Sequence, residues 1–118
     1  MALRDVGPLD SAALDALAEH LHDPDDGVRM VSGWAIAGQG TRALRVLPAL
    51  LDAGRQAGQH HHVQRAVADA LGAIGPAAGE ALPLLEELAK IPRVRWNANA
   101  AIHRIRGDSN KPGLKSPG

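Results

Sequence analysis

The chain has 118 residues, with 13 Lys and Arg balanced by 13 Asp and Glu, so its formal net charge is zero. It contains no Cys, Phe or Tyr, and only two Trp. Cysteine's absence excludes a disulfide framework and thiol chemistry, and neutrality disfavours a dedicated nucleic-acid or membrane-surface protein. The apolar residues are mostly Ala, Leu, Val and Ile, a composition that suits closely packed helices better than a β-sandwich or barrel.

In chain order, Met1 to Gly7 reads as a loose lead-in, and Pro8 with Asp10 or Ser11 supplies helix start signals. Leu14, Leu17, Ala18 and Leu21 form one apolar stripe at i, i+3, i+4 and i+7. His22 to Gly27 breaks that pattern, and an aspartate within it can cap the next helix. The second helix runs from Val28 through Val31, Ala35 and Ile36 to Gly38-Gln39-Gly40. A third starts near Thr41 and carries Leu44, Leu47, Leu50 and Leu51, with Pro48 either bending it or marking its true start.

Ala53 to His62 reads as a polar, glycine-containing loop. Val63 to Ile74 is the fourth helix, and Gly75-Pro76 is a turn. A fifth helix carries Leu82, Leu84, Leu85 and Leu88, again with an early proline, Pro83. Ile91-Pro92-Arg93 is a tight connection into a sixth helix with Val94, Ala98, Ala101, Ile102 and Ile105. Asp108 to Gly118 is polar and rich in Pro, Gly, Ser and Lys, the composition of a disordered tail. The N-terminus lacks a signal-peptide pattern and no apolar run spans a bilayer, so a soluble cytoplasmic protein is expected.

Three markers recur at one offset. Leu47-Pro48 and Leu82-Pro83 lie 35 residues apart, as do Val28 and Val63, and Gly40 and Gly75. A period of this size signals stacked helix pairs. The expected architecture is all-α, an α-solenoid of three helical hairpins over about 8–40, 41–75 and 76–107, within one domain spanning 1–107.

Asp23-Pro24-Asp25-Asp26-Gly27-Val28-Arg29, followed by a glycine-terminated helix, resembles the HEAT repeat, specifically the bacterial HEAT-like class first noted in phycobilisome lyases. Ala70-Leu71-Gly72-Ala73-Ile74-Gly75-Pro76 and Ala81-Leu82-Pro83-Leu84-Leu85 fit the same pattern. The resemblance implies a superhelical stack. It is nearly silent on function, because that family includes scaffolds, adaptors, lyases, a metal-dependent hydroxylase and DNA glycosylases. It also implies a hydrogen bond from Arg29 to Asp23. The middle repeat has Gln64 in the arginine's place, and Asn97 stands where a core would prefer Ala or Val.

In such a stack the second helices line the inner surface. Counting from each leading valine, core positions are +3, +4, +7, +8 and +11. The outward positions then hold Met30, Arg65 and Trp96 at +2, Gly33, Trp34, Ala68, Asp69, Asn99 and Ala100 at +5 and +6, and Ala37, Gly72 and His103 at +9. Aromatic and Arg anchors among small residues have the profile of a binding hot spot. Met30, Trp34, Arg65, Asp69, Trp96, Asn99 and His103 are therefore the expected contact residues for a protein or peptide partner. The alternative fate of the tryptophans is packing under the 53–62 loop and under the tail.

Other constellations carry less. His60-His61-His62 tempts a metal assignment, but three consecutive histidines at a helix start do not easily converge on one ion, and no acidic residue adjoins them; a solvent-exposed loop is expected, with no metal or cofactor. The acidic cluster at 23–26 fits helix capping rather than an EF-hand. No His-Glu dipeptide supports the hydroxylase branch. Arg65 and Asp69 are spaced for a surface ion pair. Arg29, Arg65, Arg95, Arg104 and Arg106, with Trp34, Trp96 and Asp69, supply a faint nucleic-acid or glycosylase-like pattern, spread rather than focused. No phosphate-binding glycine loop or nucleophile–base pair occurs, so a non-enzymatic interaction module is expected, with nucleic-acid binding second and a small lyase or glycosylase-like enzyme third. The last hairpin lacks an obvious polar cap, which points to self-association or partner docking near residues 84–105.

Overall fold

The computed structural model describes residues 8–56 and 58–107. The lead-in 1–7 and the tail 108–118 lie outside the described residues. Six α-helices are present and no strand occurs among the described residues: α1 (Ser11–His20), α2 (Asp26–Ala37), α3 (Leu47–Arg55), α4 (His61–Ile74), α5 (Leu82–Leu88) and α6 (Arg95–Arg106). They pair as antiparallel hairpins, α1 with α2, α3 with α4, and α5 with α6. The second helices form one layer, with α4 packed between α2 and α6.

Local signals set the boundaries. Asp10 caps α1 by accepting from the Ala13 N–H at 2.8 Å, and Asp25 caps α2 by accepting from the Val28 N–H at 3.1 Å. The prolines mark helix starts rather than bends. Pro48 and Pro83 sit in the first turn of α3 and α5, where a missing N–H leaves no intrahelical bond unmade. Each follows a 3-10 stretch, Gly40–Val46 and Gly75–Ala81. The in-register glycines that open these stretches, Gly40 and Gly75, both have positive φ, 59° and 82°. The expected third helix over 41–51 is thus a 3-10 stretch followed by a shorter α-helix, and Leu44 is exposed.

The connection before α4 is shorter than the sequence suggests. Ala53 and Gly54 are buried within α3, and α4 begins at His61 rather than Val63. Buried Gln59 holds this connection: its Nε2 donates to the Ala53 carbonyl at 2.9 Å, and its Oε1 accepts from Arg29 Nε at 3.1 Å. Arg29 does not bond the Asp23 carboxylate. Its Nη1 donates to the carbonyls of Asp23 (2.7 Å) and Pro24 (3.0 Å), while the Asp23 side chain accepts from the Asp25 N–H at 2.9 Å. The carboxylate is engaged in its own turn, so the guanidinium takes the exposed carbonyls instead.

The largest correction concerns helical phase. Gly33, Ala68 and Gly72, expected to face outward, are buried. A Cβ on Gly33 would stand 2.8 Å from the Ala66 Cβ, and one on Gly72 would stand 3.0 Å from the Ala101 Cα. Positions +5 and +9 of one second helix therefore pack on +3 and +7 of the next, and small residues let the backbones approach. Val28 and Val31, assigned to the core stripe, are 38% and 36% exposed, because no second helix precedes α2 among the described residues. A hairpin read alone has one apolar stripe, whereas a stacked helix has lateral neighbours as well.

Candidate functional site

The layer of second helices carries a cleft of about 480 Å³. Trp34 of α2, Asp69 of α4, and Trp96, Asn97 and Arg104 of α6 line it, above a floor of small residues that includes Ala37, Gly38 and Ala73. Trp34 is half-buried and Trp96 is 66% exposed. All three helices contribute, so the cleft exists only because the hairpins stack. No nucleophile–base pair lines it.

Asp69 is half-buried and lines the cleft together with both indoles. Its Oδ1 accepts from Asn97 Nδ2 at 2.9 Å, a bond between adjacent hairpins. The polar residue that looked out of place in a core position is thus the orienting partner of the cleft's carboxylate. The ion pair expected from Arg65 to Asp69 is not made, because Arg65 turns the other way and puts Nη2 2.7 Å from His62 Nδ1.

Of the seven expected contact residues, three meet in this cleft: Trp34, Asp69 and Trp96. Met30 is half-buried against the core and lines a separate recess beside Val28 and Val31. Arg65 lies against His62 at the start of α4 instead. Asn99 and His103 are half-buried on α6 but do not line the cleft. Asn97 and Arg104 were missed as cleft residues. Asn97's polarity at a core position was the available signal; the sequence groups Arg104 with Trp34, Trp96 and Asp69 only in the nucleic-acid or glycosylase-like pattern.

The remaining arginines of the second helices do not form a groove. Arg95 Nε donates to the Ala89 carbonyl at 3.2 Å, tying down the turn before α6 much as Arg29 ties the turn before α2. Arg106 pairs with Glu86 at 3.3 Å.

A family model for HEAT repeats matches residues 14–106, which covers all six helices except the start of α1. The chain belongs to the HEAT-repeat family. No curated protein and no solved structure matches it. HEAT repeats generally mediate protein–protein interaction or scaffolding. No described helix of this HEAT-repeat chain is long and apolar enough to cross a membrane.

At the start of α4 the three histidines do come together. The His60 and His61 rings stack at 4.5 Å between centroids, His60 and His62 at 5.0 Å, and His61 and His62 lie 4.4 Å apart. One ring nitrogen from each lies within 4.8 Å of the others. This corrects the expectation that they diverge in a loop: His60 is the N-cap of α4, its Nδ1 accepting from the His62 N–H at 3.1 Å, which folds the first ring back over its neighbours. An acidic residue is also nearby in space, since Asp26 Oδ2 lies 3.8 Å from His60 Nε2. Arg93 Nη1 is 3.4 Å from His61 Nε2. Desolvation within the stack, then the neighbouring imidazoles and guanidinia, holds the His61 pKa below its ordinary 6.5. Desolvation first and Arg65 next do the same for His62.

Proposed function

We propose that this chain is a non-enzymatic interaction module that binds a protein or peptide across its second helices, with the Trp34–Asp69–Trp96 cleft as the anchor point. The observation that carries this reading is the convergence of both tryptophans of the chain, from the first and last hairpins, on one cleft around a half-buried carboxylate. Large rigid rings offer much apolar contact for little ordering cost, and a small-residue floor lets a partner's side chain come close. Asp69 and Arg104 supply the polar contacts that fix orientation.

Nucleic-acid binding is the weaker reading, because Arg29 and Arg95 are committed to turn carbonyls and only Arg104 among the arginines lines the cleft. Self-association through the C-terminal hairpin remains part of the proposal, with exposed Trp96 as its natural contact. Sedimentation of a strict monomer at high concentration removes it.

The test compares proteins recovered from the native cell by the wild-type chain and by Trp34→Ala/Trp96→Ala. The double variant should keep full helical circular dichroism and lose the partner, each truncation weakening a hot-spot contact by about thirtyfold or more. Equal recovery by both chains overturns the proposal. Binding that collapses steeply with salt reassigns the surface to phosphate contacts.

A further inference from the structure

The histidine corner lies outside the cleft and has no part in the proposed function. Its spacing invites a metal, but its hydrogen bonds do not. Arginine can only donate, so His62 Nδ1, 2.7 Å from Arg65 Nη2, and His61 Nε2, 3.4 Å from Arg93 Nη1, both act as acceptors. His60 Nδ1 likewise accepts, from the His62 backbone N–H. A neutral imidazole with one nitrogen accepting carries its proton on the other. Each ring therefore turns an N–H, not a lone pair, away from its arginine or backbone partner, and the lone pairs a cation needs are already used.

The charges agree with the protons. Two guanidinia, Arg65 from α4 and Arg93 from the connection before α6, flank the rings, and the carboxylate that faces them is Asp26, 3.8 Å from His60 Nε2. Arg65 and Arg93 spend donors on neutral imidazoles, whereas Arg45 and Arg106 pair with the carboxylates of Asp15 and Glu86. A full negative charge is a better acceptor for a guanidinium than a ring nitrogen. Two donors can share one oxygen when they lie up to about 5.6 Å apart, twice an ordinary donor–acceptor distance. One nitrogen of each ring lies within 4.8 Å of the others, inside that reach.

We propose that His61, His62, Arg65 and Arg93 form a binding site for a phosphoryl oxyanion, free phosphate or a phosphomonoester. The dianion takes the guanidinium donors that now rest on His62 Nδ1 and His61 Nε2, and those two ring nitrogens, released and protonated, donate to its remaining oxygens. Arg65 and Arg93 come from the second and third hairpins, so an anion held between them ties those hairpins together at one edge of the stack. Its charge favours imidazolium, and binding and ring protonation strengthen each other by the same factor.

The test titrates the full chain with inorganic phosphate and, separately, phenyl phosphate at constant ionic strength, following the histidine ring resonances by NMR against pH. A saturable upward shift in the His61 and His62 pKa values is expected, with binding about tenfold or more weaker in Arg65→Gln and in Arg93→Gln. Circular dichroism confirms that these variants fold. Tighter phenyl phosphate binding identifies an esterified phosphoryl group as the ligand, and tighter inorganic phosphate binding the free ion; either supports the site. A shift that does not saturate, that persists in the double arginine variant, or that appears equally in the urea-unfolded chain overturns it. So does zinc binding that is tighter than phosphate binding and stabilises the fold.

Discussion

The helices α2 and α4 begin from similar sequence and end in different environments. Val28 and Val63 occupy the same repeat position, yet the first is 38% exposed and the second fully buried. Val31 and Ala66 differ in the same way, at 36% and 0%. Helix α4 buries eight of its 14 residues, whereas α2 and α6 each bury four of 12. The comparison teaches that in a stack of hairpins, position along the stack outweighs position along the helix. A repeat's sequence encodes which faces can be covered; its neighbours determine which ones are.

The sharpest way to break this comparison is to hollow the middle helix. Leu71→Ala in α4 removes a fully buried side chain and should cost about 2–5 kcal/mol, read by urea denaturation. Failure to destabilise by at least 1 kcal/mol would mean that α4 is not the centre of the core.

Next comes the contact between second helices. Gly33→Val adds atoms where even a Cβ would sit 2.8 Å from the Ala66 Cβ, and overpacking of this kind costs about 1–3 kcal/mol. Pairing it with Ala66→Gly should recover part of the loss, because the clash is between those two positions. A neutral Gly33→Val would show that α2 and α4 do not approach this closely.

A matched pair then isolates stacking itself. Val63→Ala should cost about 2 kcal/mol, and Val28→Ala less than about 0.5 kcal/mol. Equal losses at these equivalent positions would erase the distinction between covered and open helices. Asn97→Ala belongs to the same tier: it removes the one hydrogen bond seen on Asp69 and should cost about 1 kcal/mol.

The smallest effect is on pH. The folded pKa values of His61 and His62 lie below 6.5, so as pH falls through 6.5 the unfolded chain takes up protons before the folded one. Stability from these rings is complete above pH 6.5 and declines below it. Thermal unfolding between pH 7 and 5 should show this decline in wild type and a flatter profile in His61→Asn/His62→Asn. An unchanged profile would mean that the ring stack does not persist in solution.

Much of the fold was legible. Apolar spacing placed six helices, and the 35-residue offset of Leu-Pro, Val and Gly markers gave the hairpin repeat. The prolines and the acidic caps act locally, through missing N–H groups and short side-chain bonds, which is why a linear reading finds them. The cleft was legible in part. One helical phase supplied all seven expected contact residues; it brought Trp34, Asp69 and Trp96 to the cleft but put Arg65, Asn99, His103 and Met30 on the same face, because it ignored lateral neighbours.

What the sequence determined by itself was the set of helices and the period at which they repeat, because both follow from side-chain spacing and local backbone chemistry. Only the tertiary structure decided that Gly33 and Gly72 are contact points, that Asn97 reaches Asp69, and that three histidines gather beside Arg65 and Arg93. Apart from the histidine stack and its bond to Arg65, which form within the first turns of α4, those contacts join residues on different hairpins, and the distance between two hairpins is set by how closely their backbones pack.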